Sequence, residues 1–251
     1  MNLIILGDAD GVGENRYSVT DGRADHLRQV LGVAPGDTVE VGFVDGPVGS
    51  ARIEAVEAGR VLLEVVETRK VAPPCPEIDL VCALPRPQTL KKVLFTAAMM
   101  GVRSLHLIRA NRVEKSYFQS PLLQPENMRS HLIEGLAQGK RTRLPRVEVH
   151  GRFRPFFEDY VPSRQGGFPS VRLVADPEAE SGLEADASGC DELLVAIGPE
   201  GGWVPFELEV MRRAGFRAFR LGPWMLRVEH AVTAVLAQLE LVGNLGGGSA
   251  A

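Results

Sequence analysis

The chain has 251 residues, 45% of them hydrophobic and 24% charged, which is enough for one large domain or two smaller ones with real cores. This composition excludes a disordered tail and a disulfide-stapled miniprotein. Lys and Arg number 28 against 32 Asp and Glu, so the formal net charge is −4 and the total does not indicate a polyanion-binding protein.

The chain contains three cysteines, Cys75, Cys82 and Cys190, and no two of them form a C-x-x-C pair. Neither a disulfide framework nor a zinc knuckle is therefore expected, no metal site is predicted, and a reducing cytoplasm fits best. No apolar run approaches the roughly 18 to 20 residues that a membrane span needs, and the N-terminus lacks the basic flank of a signal peptide. These features predict a soluble, cytoplasmic protein with no membrane partner.

Residues 1–71 combine short β-branched runs with glycine turns, which predicts a small β-barrel domain. The strands are predicted at residues 37–41, 51–56 and 61–66. One short helix is predicted over residues 25–31, because Gly32 follows as a stop signal. The prolines at 73, 74 and 76 fix φ three times within four residues, so this stretch continues neither kind of element and marks a domain boundary.

The second domain, residues 77–245, alternates apolar strand patterns with helical patterns, which predicts a parallel sheet covered on both faces. Its strands are predicted at residues 80–84, 105–108, 171–175, 193–197 and 218–221. Helices are predicted before Gly101, between Pro125 and Gly139, from Pro205, and over residues 228–241. Residues 246–251 have no side chains able to bury area, so they are predicted to form a flexible tail.

Two glycine-rich segments follow predicted strands of this sheet, at residues 197–203 and 221–229. Ligands of open parallel sheets bind beyond the carboxyl ends of strands, and glycines let backbone amides approach a ligand closely. Ordinary tight connections remain the alternative reading. Neither a G-x-G-x-x-G motif nor a G-K-[ST] ending is present, and Glu200 would repel a pyrophosphate, so a nucleoside without phosphates is the better guest.

Several motifs together resemble the bacterial 16S ribosomal RNA uridine-N3 methyltransferase family, which belongs to the SPOUT class. The strongest are Gly198-Pro199-Glu200-Gly201-Gly202, Ala214-Gly215-Phe216, Leu221-Gly222-Pro223 and Leu226-Arg227-x-Glu229. The match extends to residues 25–31, 36–37, 83–85 and 139–143, so it covers nearly the whole chain. The resemblance implies a PUA-like RNA-binding barrel followed by an α/β domain tied in a trefoil knot.

The resemblance also implies S-adenosylmethionine as cofactor, held in the knot mainly by backbone groups. The residues implied are Leu173, Val174, Ala175, Ile197, Gly198, Pro199, Glu200, Gly201, Gly202, Leu221, Gly222, Pro223, Leu226 and Arg227. Members of the family are usually homodimers with the site at the subunit interface. The apolar face of the last predicted helix fits either that interface or the core.

Arg227 and Glu229 are the catalytic candidates. The uracil N3 becomes a good nucleophile only after losing its proton, and the Arg227 guanidinium can stabilise charge developing on the uracil carbonyls. Glu229 can orient Arg227 or accept the proton, although an ion pair at a helix start explains both residues as well. His230 departs from the threonine usual in the family and is assigned no role.

The indication of RNA binding is local charge. Residues 140–154 hold six basic residues against Glu148 alone, a local net charge of +5, whereas a solvated face is the ordinary explanation of such a cluster. The resemblance implies RNA contacts in this region, and the RNA-binding candidates are His26, Arg28, Arg86, Arg112, Lys140, Arg141 and Arg143. His26 fits equally well as a packing residue. The target base must leave any stack to reach the pocket.

The leading hypothesis is therefore methylation of N3 of a uridine in small-subunit ribosomal RNA, with ribosomal RNA or an assembly intermediate as partner. The same fold also carries ribose 2′-O methyltransferases. A non-catalytic RNA-binding or assembly factor is the third possibility, because the chain departs from the family at residues 96–100 and 137–139, where polar groups near the expected RNA surface are lost.

Overall fold

The computed structural model describes residues 2–163, 167–183 and 190–246. It divides into two compact units, of which the first contains Met1–Ala72 with Ile133–Leu144 and the second contains Pro73–Leu132 with Pro145–Ala251. None of the described helices is long and apolar enough to cross a membrane. The sequence places residues 133–144 in the second domain, whereas the structure groups them with the first unit.

The first unit is built on a curled six-stranded sheet in the order β1-β4-β5-β6-β3-β2. The strands are β1 (Ile4–Leu6), β2 (Gly11–Gly13), β3 (Arg16–Val19), β4 (Thr38–Phe43), β5 (Val48–Glu57) and β6 (Arg60–Arg69). Strands β4 to β6 confirm the three predicted runs, while β1 to β3 were not predicted. Only the β1–β4 pairing is parallel, and the other four pairings are antiparallel.

One face of this sheet buries a hydrophobic core that includes Ile4, Leu6, Ile53 and Leu63, none more than 2% exposed. The predicted short helix begins earlier than expected, as α1 (Gly22–Asp25), and continues as a π-helix over His26–Val30. The Asp21 carboxylate accepts the backbone N–H of Arg23 and so caps α1, an N-terminal signal that fixes the earlier start. Leu27 then inserts into the core.

The second unit contains a six-stranded, fully parallel sheet in the order β12-β10-β11-β7-β8-β9. Its strands are β7 (Glu77–Ala83), β8 (Ser104–Ile108), β9 (Arg146–His150), β10 (Val171–Ala175), β11 (Glu192–Ile197) and β12 (Arg217–Phe219). All five predicted strands are present. The edge strand β9 was not predicted, because its residues alternate between charged and apolar side chains and were interpreted as part of a basic segment.

The longer helices confirm the periodic patterns. They are α2 (Pro87–Met99), α3 (Pro125–Gly139), the Pro205 helix (Pro205–Arg213) and the last helix (Val228–Gly246), which packs against α2 and β11. Shorter turns lie at Asp8–Asp10, Lys115–Gln119, Pro121–Leu123, Phe153–Pro155 and Val161–Ser163, with a π-helix at Phe156–Tyr160. The predicted tail falls outside the described residues from 247 onward, and Gly246 ends the last helix.

Candidate active site

A cavity of about 480 Å³ opens at the carboxyl ends of β10 and β11. The loops that follow β10, β11 and β12 all contribute to it, as expected for a ligand site in an open parallel sheet. Its lining residues are Arg112, Ala175, Asp176, Pro177, Glu178, Ile197, Gly198, Pro199, Glu200, Gly201, Gly202, Trp203, Pro205, Leu208, Leu221, Gly222, Trp224, Met225, Leu226, Val228, Ala231 and Val235. Both glycine-rich segments therefore meet at one place.

Most of the residues predicted to hold the cofactor line this cavity. They are Ala175, Ile197, Gly198, Pro199, Glu200, Gly201, Gly202, Leu221, Gly222 and Leu226. Within the described chain, Leu173, Val174, Pro223 and Arg227 are not part of the lining. Leu173 and Val174 are buried inside β10, paired on both sides with β11 and β12, so they form the floor of the sheet below the cavity.

The glycines of the first loop permit close contacts. A Cβ on Gly198 would lie 3.1 Å from the Trp203 indole, and a Cβ on Gly201 would lie 2.9 Å from Cδ of Arg112. Gly202 has a φ of +75°, which only glycine adopts without strain. The Arg112 guanidinium donates to the Gly201 carbonyl, so this residue, which is also predicted to bind RNA, holds the loop at the cavity rim.

The cavity rim carries three carboxylates, Asp176, Glu178 and Glu200, against the single guanidinium of Arg112. The exposed Glu200 accepts the backbone N–H of Arg86 at 3.4 Å, and the Arg86 side chain donates to Thr89 Oγ1. Burial, with the charge of Glu200, raises the pKa of the nearby Cys82 thiol to about 12, so Cys82 is not a thiolate nucleophile at neutral pH. The rim suits a cationic ligand better than a phosphate.

Glu207 is a positioning residue that the sequence does not single out. Its side chain is 2% exposed and accepts two backbone N–H groups, from Val204 at 3.0 Å and from Asn111 at 2.6 Å. It therefore supplies the cap that Val204 lacks and ties the start of the Pro205 helix to the loop carrying Arg112. A glutamate at the third helical position is the sequence signal that indicates this arrangement.

The two catalytic candidates differ in environment. Arg227 is exposed, and its carbonyl accepts the N–H groups of His230 and Ala231 in the first turn of the last helix. Glu229 is buried, with Oε1 3.1 Å from Nζ of Lys92 on α2. Burial raises the pKa of Glu229, but hydrogen bonds from its own backbone N–H and from Lys92 outweigh that effect and lower the pKa overall. Glu229 is therefore an anion with a partner on α2.

Five of the RNA-binding candidates belong to the first unit. Arg28 lies 3.8 Å from the Asp25 carboxylate, and Lys140 forms an ion pair with Glu40. Nε2 of His26 is buried and has no hydrogen-bond partner in the part of the chain that the structure describes. Arg141 is half-buried and Arg143 is exposed.

The basic segment 140–154 is divided by the fold. Its first three basic residues belong to the first unit, whereas Arg146, Arg152 and Arg154 belong to the second. Arg154 also pairs with Glu158 at 3.0 Å, so part of the local charge is neutralised. The segment is not one continuous basic patch on one element.

The departures from the family pattern lie mostly in the interior. Thr96, Ala97 and Ala98 are buried on α2, and Ala137 is 3% exposed, with its carbonyl accepting the N–H groups of Asn2 and Leu3. The side chains of the buried members are therefore not exposed at a surface that RNA could contact. The alanines there are part of the buried interior, while Gln138 and His230 are exposed.

Comparison with known proteins agrees with this geometry. Residues 72–240 match the family model of the RNA methyltransferase domain. The chain is 32% identical to ribosomal RNA small subunit methyltransferase E of Treponema pallidum, covering 94% of this chain and 90% of that protein. The crystal structure of the corresponding enzyme of Neisseria gonorrhoeae bound to S-adenosyl methionine superposes with a TM-score of 0.76 at 20% identity, covering 97% and 98% of the two chains.

A putative methyltransferase of Legionella pneumophila, solved in complex with S-adenosylmethionine, superposes with a TM-score of 0.75 at 20% identity over 96% of this chain and 98% of its own. These two superpositions establish the fold. The family model and the Treponema relative, which span most of the sequence, establish the family. The chain belongs to the ribosomal RNA small subunit methyltransferase E family of RNA methyltransferases.

Proposed function

We propose that this protein transfers the methyl group of S-adenosylmethionine to N3 of a specific uridine in 16S ribosomal RNA. The observation that carries the proposal is the meeting of the two glycine-rich loops in one cavity at the carboxyl ends of β10 and β11. Membership in the methyltransferase E family supports the reaction class and the ribosomal substrate.

The cavity suits S-adenosylmethionine chemically. Ile197, Leu208 and Leu221 offer an apolar surface for the adenine ring, and the glycines at 198, 201 and 202 expose backbone groups that hydrogen-bond a nucleoside. Asp176, Glu178 and Glu200 place negative charge around the rim, which favours the sulfonium and ammonium groups of the cofactor.

Methyl transfer breaks the sulfur–methyl bond and forms a bond from the methyl carbon to uracil N3, after the N3 proton has left. Arg227, exposed and two residues before Glu229, is proposed to stabilise the negative charge that develops on the uracil carbonyl oxygens. Glu229 has a lowered pKa and an ion-pair partner, so it is a weak base, and we assign it the positioning of the first turn that carries Arg227. The N3 proton passes to water before the methyl group is transferred.

We also propose a fold type for each of the two units. The curled sheet of the first unit is interpreted as a PUA-like RNA-binding barrel, and the chain around β10 to the last helix as a trefoil knot. The proposed boundaries are residues 1–71 for the first domain and 77–245 for the second. The structure amends them at two places, because residues 133–144 group with the first unit and Gly246 is the last residue of the last helix. The strand order, in which β10 and β11 lie between β12 and β7, supports the knot.

We propose a cytoplasmic homodimer. Trp224 and Met225, which are 66% and 82% exposed at the cavity rim, supply apolar surface that a second copy would cover. RNA contacts are proposed for His26, Arg28, Arg86, Arg112, Lys140, Arg141 and Arg143. Arg86 and Arg112 lie beside the cavity loops, where they can serve both the loop and the RNA.

The function is tested with purified protein, labelled S-adenosylmethionine and small ribosomal subunits from a strain lacking the endogenous modification. Nucleoside mass spectrometry should detect 3-methyluridine in the 16S RNA, produced by the wild type and by an Arg213→Ala control on the exposed side of the Pro205 helix. A nuclease-resistant dinucleotide would identify ribose 2′-O methylation instead. RNA binding without cofactor binding in calorimetry would favour the non-catalytic assembly factor.

A further inference from the structure

A second polar cluster lies on the opposite edge of the parallel sheet, on β8 and β9. In the register of these strands His106 lies opposite Glu148 and Ile108 lies opposite His150. Because alternate residues of a strand share one face, His106, Glu148 and His150 project from the same face of the sheet. Two imidazoles and one carboxylate thus converge from two neighbouring strands.

Two of the distances between these groups are close to the spacing of ligands around one metal ion. Nδ1 of His106 lies 3.2 Å from Nε2 of His150, and Oε2 of Glu148 lies 3.7 Å from the same nitrogen. One potential ligand atom from each residue lies within 4.8 Å of the others. Tetrahedral Zn²⁺ with bonds of about 2.0 to 2.1 Å separates its ligand atoms by roughly 3.3 Å, which is close to this spacing.

The neighbours of His106 fix the state of its ring. Oγ of Ser104 donates to the Asp79 carboxylate at 2.5 Å and lies 3.1 Å from Nε2 of His106. The Ser104 hydroxyl donates its proton to Asp79, so it can accept the Nε2 proton of His106. In that tautomer Nδ1 of His106 presents a lone pair to the cluster. Outer hydrogen bonds of this kind orient histidine ligands in metal sites.

The carboxylate is oriented in the same way. Oη of Tyr160, at the end of the π-helix Phe156–Tyr160, donates to Oε2 of Glu148 at 2.5 Å. A carboxylate oxygen has two lone pairs, so this bond leaves one for an ion. π-Helical turns occur frequently at functional sites, and here the turn brings Tyr160 over the cluster.

The surroundings are dry on one side and open on the other. His106 is fully buried, and the rings of Phe156 and Phe168 lie 5.6 and 5.2 Å from its own ring. The side chains of His150 and Glu148 are 17% and 30% exposed, which leaves a path for an ion to enter. An apolar wall strengthens the attraction between a cation and its ligands.

We propose that His106, Glu148 and His150 bind one divalent transition-metal ion, with Zn²⁺ as the best match. Two imidazoles and a carboxylate suit borderline ions of this kind, and three protein ligands leave a fourth position for water. The ion would link the edge strand β9 to its neighbour β8. The prediction of no metal site depends on cysteine spacing alone. The sequence contains no signal that would bring His106 next to Glu148 and His150, which begin 42 residues later.

The competing arrangement is a hydrogen bond from Nε2–H of His150 to Nδ1 of His106, which needs no ion. The test uses the full chain without a polyhistidine tag, stripped with a chelator and titrated with Co²⁺, whose visible absorption reports nitrogen and oxygen ligands. We expect one Co²⁺ per chain, displaced by one Zn²⁺. Glu148→Gln and His150→Gln should each weaken binding at least about tenfold.

Two control variants make the assignment specific. His230→Gln removes an exposed imidazole elsewhere, and Cys75→Ser removes an exposed thiol, so both should bind the ion like the wild type. Long-range proton–nitrogen spectra of the wild type should show Zn²⁺ shifting two of the five imidazoles. This measurement needs no substitution, so it decides the question even if the ligand variants unfold.

A wild-type chain that shows no cobalt absorption and retains no zinc overturns the proposal and leaves the histidine–histidine hydrogen bond as the explanation. Undiminished binding in both ligand variants, or imidazole shifts confined to His26, His131 and His230, also overturns it. None of these readouts depends on methyl transfer, so the outcome is independent of the proposed function.

Discussion

The ammonium of Lys92 lies 3.1 Å from Oε1 of Glu229, and this ion pair joins α2 to the first turn of the last helix. The two partners differ in exposure, since the Glu229 side chain is 7% exposed and that of Lys92 is 62% exposed. The buried carboxylate therefore depends on a lysine that reaches it from the surface. Removing the lysine leaves a buried charge without its partner, so Lys92→Met should destabilise the protein by about 1 kcal/mol.

The lowered pKa of Glu229 predicts how this contribution varies with pH. A carboxylate whose pKa is lower in the folded chain than in the unfolded chain stabilises the fold at pH values above its unfolded-state pKa, which is 4.5 for Glu229. This stabilisation is lost as the pH falls through the folded-state pKa. Glu229→Gln should therefore be less stable than the wild type at neutral pH, and the difference should shrink below pH 4.5. Urea denaturation across this range measures it, with the exposed Glu240→Gln as control. A difference independent of pH would contradict the prediction.

Arg227→Ala should separate turnover from cofactor binding. Arg227 is exposed and does not line the described cavity, whereas its neighbours Leu226 and Val228 do. We expect kcat to fall by about 10²- to 10³-fold while the Kd for S-adenosylmethionine changes less than about threefold. Single-turnover kinetics and calorimetry measure the two quantities. An equal loss of cofactor affinity would assign Arg227 a structural role.

Glu207→Gln should weaken both the fold and the cofactor site. The buried carboxylate accepts the backbone N–H groups of Val204 and Asn111, and an amide can replace only one of its two oxygens. The unmet N–H group should cost about 1 to 3 kcal/mol in the free energy of unfolding. Glu209→Gln, which loses only surface pairs with Arg212 and Arg213, is the matched control and should change little. Thermal melts with and without S-adenosylmethionine test both effects.

Gly198→Ala should reduce cofactor affinity without unfolding the chain. The added methyl group would lie 3.1 Å from the indole of Trp203, which is 8% exposed and lines the cavity, so the ring must shift. We expect the Kd for S-adenosylmethionine to rise about tenfold, the effect of roughly 1.4 kcal/mol. Gly151→Ala adds a methyl group in open space and should bind the cofactor normally. Isothermal calorimetry of the three proteins is the measurement.

Arg141→Ala and Lys140→Ala should differ in RNA binding although they are neighbours. The Lys140 ammonium is already paired with Glu40, whereas the half-buried Arg141 forms no ion pair with a carboxylate of the described residues. If Arg141 contacts a phosphate, its loss should reduce the slope of log affinity against log salt by about 1. Filter binding to 16S RNA at several salt concentrations measures this slope. Equal slopes in all three proteins would remove Arg141 from the RNA interface.

The sequence predicts the parallel sheet well because β7, β8, β10 and β11 are nearly continuous apolar runs. It predicts both cavity loops because Gly198 directly follows β11 and Gly222 lies three residues after the end of β12. It does not predict β9, since Arg146, Glu148 and His150 alternate with valines and resemble a charged surface segment. Glu207 and Lys92 also escape prediction. Their roles come from contacts with Asn111 and Glu229, which lie 96 and 137 positions away in the chain.

The helix α3 begins in one unit and ends in the other, because the division of the chain falls between Leu132 and Ile133. Two separate stretches of the gene therefore encode the first unit. Exchanging this unit between relatives by recombination would require both stretches to be carried together, since Ala137 supplies the carbonyl that Asn2 and Leu3 bind. A recombinant that exchanges the N-terminal strand without residues 133–144 would therefore combine parts of two different first units.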